Sequence, residues 1–142
     1  MPIYFDEDKR LFHLQAGDCS YVLQIVREGY LKHAYWGSKL RSYHGSNMVP
    51  GMDRSFAPNP DTWDRTFSLD VLPQEYPAYG NTDFRTPAYQ VQLENGSTIT
   101  DLRYKSHVIY AGKKALTGLP ALYTEDDREA DDPVEFQLSY SP

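Results

Sequence analysis

The chain has 142 residues, 40% of them hydrophobic, which is enough for one domain with a real core and too apolar for a disordered polar chain. A formal net charge of −6 repels phosphate backbones and argues against a nucleic-acid binder. No segment approaches the ~20 consecutive apolar residues of a membrane-spanning helix, so no membrane partner is expected either.

The N-terminal "MPIYFDEDKR" turns acidic early and lacks the apolar run of a signal peptide. Its "IYF" and the following "LFHLQA" flank a polar turn, a hairpin signal. "SYVLQIV" then alternates, with Tyr21, Leu23 and Ile25 on one face. Val22 and Val26 lie on the other, with Gln24 between them, so burial on both faces is expected. The lone cysteine, Cys19, excludes an intrachain disulfide and fits a reducing, cytoplasmic setting. After a Glu-Gly turn, "REGYLKHAYW" alternates again and places Leu31, His33 and Tyr35 on a common face.

Residues 41–65 form an irregular loop rich in Gly, Ser, Asn and Pro, and loops of that length are usually functional or disordered. Next comes "WDRTFSLDVLPQEYPAYGNTDFR", dense in aromatics and carboxylates and neither helix-like nor strand-like. "AYQVQLENGSTITDLRY" predicts a hairpin about a two-residue Asn95-Gly96 turn, with "STITDLRY" returning as the partner strand. "GKKALTGLPALY" has weak helical character broken by Gly118 and Pro120. An acidic run and one last short strand finish the chain. The pattern is that of an all-β, antiparallel β-sandwich.

Little of this composition carries catalysis. The four histidines, His13, His33, His44 and His107, lack ligand spacing, and one cysteine cannot build a thiolate site, so no metal is expected. There is no nucleophile elbow and no Gly-rich phosphate loop, hence no expected cofactor. Asp53, Asp61, Asp64, Asp70, Glu75 and Asp83 are carboxylates in irregular sequence, usually turn formers and sometimes the paired acids of glycoside hydrolysis. Arg54 and Arg65 beside Asp53 and Asp64 favour the ionised form, which suits an acceptor of sugar hydroxyls better than a general acid. Trp63, Tyr76 and Tyr79 suit either sugar stacking or packing against a core or another subunit.

The stretch "WDRTFSLDVLPQEYPAYGNTDFRTPAYQVQLENGSTITDLRYKSHVIYAGK", with "FHLQAGDCSYVLQIVREGYLKHAYWGSKL" and "GLPALYTEDDREAD", resembles the N-terminal domain of bacterial α-galactosidases of glycoside hydrolase family 36. "LPQEYPAYGNTDFR" is the most specific piece. The resemblance implies a β-supersandwich of which residues 1–142 are the front part, with the catalytic barrel and both catalytic aspartates absent. It implies a parent enzyme that hydrolyses α-galactosides such as melibiose and raffinose with retention, assembled as a homotetramer. It further implies that Asp53, in "GMDRSF", binds substrate in a neighbouring subunit's pocket. After "DREAD" the family continues with a strand of the type "TLEI", where this chain has "DPVEFQLSYSP" and a Pro133 unable to donate to a ladder. The residues alone also allow a stand-alone carbohydrate-binding module or an oligomerisation domain.

Overall fold

The computed structural model of the chain describes residues 3–45, 63, 66–81, 83–110, 117–118 and 134–140, the last as backbone. Among them the regular structure is β, with one 3₁₀ turn at Arg27–Gly29 and no α-helix. The weakly helical segment after Tyr110 lies outside the described residues, apart from a turn at 117–118.

β1 (Ile3–Asp6) and β2 (Leu11–Ala16) form the expected hairpin. Asp6 Oδ1 accepts from Lys9 N at 2.9 Å, and Arg10 takes a φ of 51° to re-enter the ladder. β2 passes into β3 (Cys19–Ile25) through Gly17-Asp18. Gly17 supplies a positive φ of 49° at the first loop position, where a side chain would be strained. β3 reaches β4 (Leu31–Ser38) through the Arg27–Gly29 turn, closed by Val26 N donating to Tyr30 O at 2.9 Å. The four strands make one antiparallel sheet in the order β1-β2-β3-β4.

The alternation read from β4 holds only for its first half. Leu23 pairs with His33 and Val22 with Tyr35, so Ala34 is an extra residue, a β-bulge. Past it the phase inverts. Tyr35 leaves the face of Leu31 and His33, contrary to expectation, and Trp36 joins that face opposite Tyr21.

That face is apolar. Phe12, Leu23, Ile25 and Leu31 are buried on it, with Phe5, Leu14, Tyr21 and Tyr104 packed around them. The opposite face is buried too, as expected for β3, but around Leu11 and Val22 it is largely polar. His13 Nε2 and Ser20 Oγ lie 2.9 Å apart, and Ser20 Oγ accepts from Leu40 N at 2.9 Å. Gln15 donates to Leu40 O at 2.7 Å, so the chain leaving β4 is stitched back across β2 and β3. Burial lowers the pKa of His13 below its usual value, which keeps the imidazole neutral in this seam.

β5 (Leu102–Ile109) pairs with β6 (Val134–Tyr140), antiparallel, in a second sheet. The pairing of the last strand is described from Val134 on, and Pro133 lies outside the described residues. A second bulge, at Lys105, puts Tyr104 and His107 on one face of β5. Both reach the apolar face of the first sheet. The His107 ring lies 4.4 Å from Phe5 and 4.7 Å from Phe12, and Tyr104 lies 6.3 Å from Phe12.

The Asn95-Gly96 hairpin takes a different form from the expected one. Gly96 N donates to Leu93 O at 2.8 Å and Leu93 N to Ser97 O at 2.9 Å, with positive φ at Gly96 (82°) and not at Asn95. That is a three-residue loop ending in a left-handed glycine, not a two-residue turn. Asn95 Oδ1 instead accepts from Ser97 N at 3.0 Å, a local bond that competes with the positive-φ conformation. Neither arm is a strand; the return segment pairs, from Leu102 on, with β6.

Phe12, with no exposed surface, joins both sheets. Phe12→Ala is expected to cost about 3–5 kcal/mol, seen as a lower urea midpoint at unchanged slope.

Candidate functional site

The stretch from Phe67 to Arg85 has almost no regular structure, so its backbone groups need other partners. Phe67, Leu69 and Leu72 enter a small core with Val26 and Tyr30. Beyond it the chain folds around one carboxylate. Asp83 is 1% exposed. Its Oδ1 accepts from Arg85 Nε at 2.9 Å and Arg85 N at 3.1 Å, and its Oδ2 from Arg85 Nη2 at 2.7 Å and Gln74 Nε2 at 2.8 Å. The same Nη2 donates to Leu69 O and Leu72 O, each at 2.8 Å. The bond to Asp83 raises the pKa of Arg85 further above its already high value. A carboxylate with its acceptor sites filled by fixed donors is a structural anchor, not a general acid.

The anchor presents residues 73–75 to the open edge of β4. His33 N donates to Pro73 O at 2.8 Å and Glu75 N to Leu31 O at 2.9 Å. Glu75 then lies against the apolar face. Its Oε1 accepts from the Tyr21 hydroxyl, and its Oε2 lies 3.5 Å from His33 Nδ1. Burial pushes the Glu75 carboxyl above its usual range. Tyr21 is 5.4 Å from the His33 ring and meets Trp36 edge-on at 5.5 Å, with ring planes 82° apart. Trp36 itself is 73% exposed. The result is a half-buried carboxylate, an imidazole and a tyrosine beside a solvent-facing indole.

Asp53, Asp61 and Asp64, with their neighbouring arginines, lie outside the described residues. Asp70 accepts from the Ser68 hydroxyl and serves a turn. Trp63 is 96% exposed, and Tyr76 and Tyr79 are also exposed. Tyr79 meets Phe84 at 5.8 Å and borders a groove of about 560 Å³ that Tyr89, Gln90 and Thr98 also line. Among the described residues no three His, Cys, Asp or Glu side chains converge as metal ligands.

Two arrangements escaped the sequence reading. The Asp83–Arg85 fork had a usable signal, since Asp-x-Arg in extended chain puts both side chains on one side. It recurs at Asp101 and Arg103, where Arg103 Nε donates to Asp101 Oδ2 at 2.9 Å. The Trp36 cluster had no signal, because it depends on the bulge at Ala34 and on a segment distant in sequence.

Residues 29–139 match the model of the glycosyl hydrolase family 36 N-terminal domain. The chain is 61% identical over 131 residues to the α-galactosidase AgaA of Geobacillus stearothermophilus, covering 92% of this chain and 18% of that protein. The crystal structure of the family 36 α-galactosidase AgaB of the same organism superposes with a TM-score of 0.85 at 60% identity, over 97% of this chain and 18% of that one. That of an AgaA variant in complex with raffinose superposes with a TM-score of 0.81 at 63% identity, over 90% and 18%. The chain thus spans about a fifth of the length of these relatives.

Two outcomes follow from the geometry. Arg85→Ala strands the buried Asp83 carboxylate and is expected to cost about 3 kcal/mol in urea unfolding, the low end for a broken buried pair because the guanidinium side is 40% exposed. Arg85→Lys restores only part of this, because an ammonium cannot fork. The raised pKa of Glu75 means that its proton stabilises the fold fully below the ordinary value of 4.5, and that this contribution is lost as pH rises through the higher folded value. Glu75→Gln, which keeps an acceptor and removes the charge, is therefore expected to raise the urea midpoint at neutral pH. The gain should vanish at about pH 4 and below.

Proposed function

The chain belongs to the glycosyl hydrolase family 36 N-terminal domains, and from that membership we propose that it is the non-catalytic N-terminal part of an α-galactosidase. The parent activity is hydrolysis of terminal α-linked galactose from melibiose and raffinose-type oligosaccharides with retention. The observation that carries this reading is the match in both sequence and fold to α-galactosidases across more than nine-tenths of the chain, at 92% and 97% coverage. Residues 1–142 then form the front of a β-supersandwich. The ring contacts of Tyr104 and His107 on β5 with Phe5 and Phe12 of the first sheet support that reading.

In this reading the domain supports a cytoplasmic homotetramer, and Asp53 accepts hydrogen bonds from galactose hydroxyls in a neighbouring subunit's pocket. Asp53 positions substrate and performs no bond chemistry, and the isolated chain is inactive. The buried carboxylate of the described stretch, Asp83, is committed to Arg85 and Gln74. Self-association is favoured by the exposed aromatics Trp63 and Phe84.

The purified chain is expected to release no chromophore from a nitrophenyl α-galactoside above the buffer rate; sustained turnover would overturn the reading. In the α-galactosidase that carries this domain, Asp53→Ala should raise KM for raffinose roughly tenfold or more with a smaller change in kcat, as loss of a charge-assisted contact to bound substrate requires. A fall in kcat at constant KM would place Asp53 in the chemical step instead.

A further inference from the structure

We propose that Trp36, Glu75 and His33 form a second carbohydrate site, a platform for a terminal galactosyl unit on the apolar face of the first sheet. The inference rests on the α-galactoside reading for its sugar class, and on geometry for its place and residues.

A pyranose needs two things from a protein. Its C–H face needs a flat apolar surface, and its hydroxyls need fixed acceptors and donors, best supplied by a charged group. Trp36 offers the surface. It is 73% exposed, and its only described ring neighbour, Tyr21, meets it T-shaped and so does not stack over it. Glu75 offers the acceptor. A carboxylate takes about four hydrogen bonds. Of those, Glu75 accepts one from the Tyr21 hydroxyl, and its second oxygen faces His33 at 3.5 Å. The remaining acceptor capacity lies on a side chain that is 20% exposed, so water reaches the group without flooding it. His33 is 37% exposed beside it and adds a ring nitrogen that gives or takes a hydrogen bond.

The arrangement is also held in place before any ligand arrives. Tyr21 is the common brace, touching Trp36 by its ring and Glu75 by its hydroxyl. The backbone of residues 73–75 is tied to β4 by the His33–Pro73 and Glu75–Leu31 bonds, and Gln74 is tied to Asp83. The Ala34 bulge puts Trp36 over the same face as these groups. A fixed aromatic platform beside a fixed carboxylate loses little entropy on binding.

The test uses Trp63→Phe, which leaves Trp36 as the single indole of a chain that has two. Raffinose is titrated while indole emission is followed, with sucrose, which lacks the galactosyl unit, as control. The expected result is a saturable raffinose response that sucrose produces at least tenfold more weakly. On the same background Glu75→Gln should weaken raffinose roughly tenfold, with folding checked by circular dichroism. Calorimetry of Trp36→Ala should show the raffinose heat lost, and Asp53→Asn should leave it unchanged, which separates this site from the proposed pocket role of Asp53. No emission change up to the solubility limit of raffinose would overturn the proposal. So would an equal response to sucrose, or raffinose binding that survives Trp36→Ala. Loss of self-association in Trp36→Ala without any raffinose response would assign the indole to a subunit contact and also overturn it.

Discussion

One buried carboxylate holds the irregular half of this chain together. Asp83 takes four donors, three from Arg85 and one from Gln74, and the Nη2 of Arg85 also reaches the carbonyls of Leu69 and Leu72. Between Phe67 and Arg85 the backbone has only isolated bridges and turn bonds, and these side chains satisfy carbonyls that those leave over. Such a pair adds little net stability over an apolar replacement, yet losing one partner is costly, so its main effect is to exclude other conformations of the loop. Everything that reaches the edge of β4 from this segment, including Glu75, depends on that choice of conformation.

Two bulges then decide what meets what. The extra Ala34 puts Trp36 on the face of His33, and the extra Lys105 puts His107 on the face of Tyr104. In each case two aromatic rings three residues apart share a face that strict alternation would deny them. On β5 the pair caps the apolar core through Phe5 and Phe12. On β4 it leaves an indole in solvent beside a half-buried acid.

The reverse face of the first sheet shows that burial and apolarity are separate properties. His13, Gln15, Ser20 and Gln24 are buried there, and they remain tolerable because each has a hydrogen-bond partner. Gln24 between Val22 and Val26 already hinted at such a surface. The partners, Leu40 O and Lys9 O among them, come from distant turns that period-two reasoning does not see.

The sequence alone determined that β1 to β4 exist and in what order they follow one another, because alternation and turn residues are local properties of the chain. It also carried the family, since "LPQEYPAYGNTDFR" is specific at that length. The pairing of β5 with β6, the form of the Asn95-Gly96 loop, the inverted phase of Tyr35 and Trp36, and the union of Tyr21, His33 and Glu75 were decided only by the tertiary structure. The physical reason is range. A strand's side-chain period is set by its own backbone, whereas an inserted bulge residue or a buried charge is stable only when a partner far along the chain completes it.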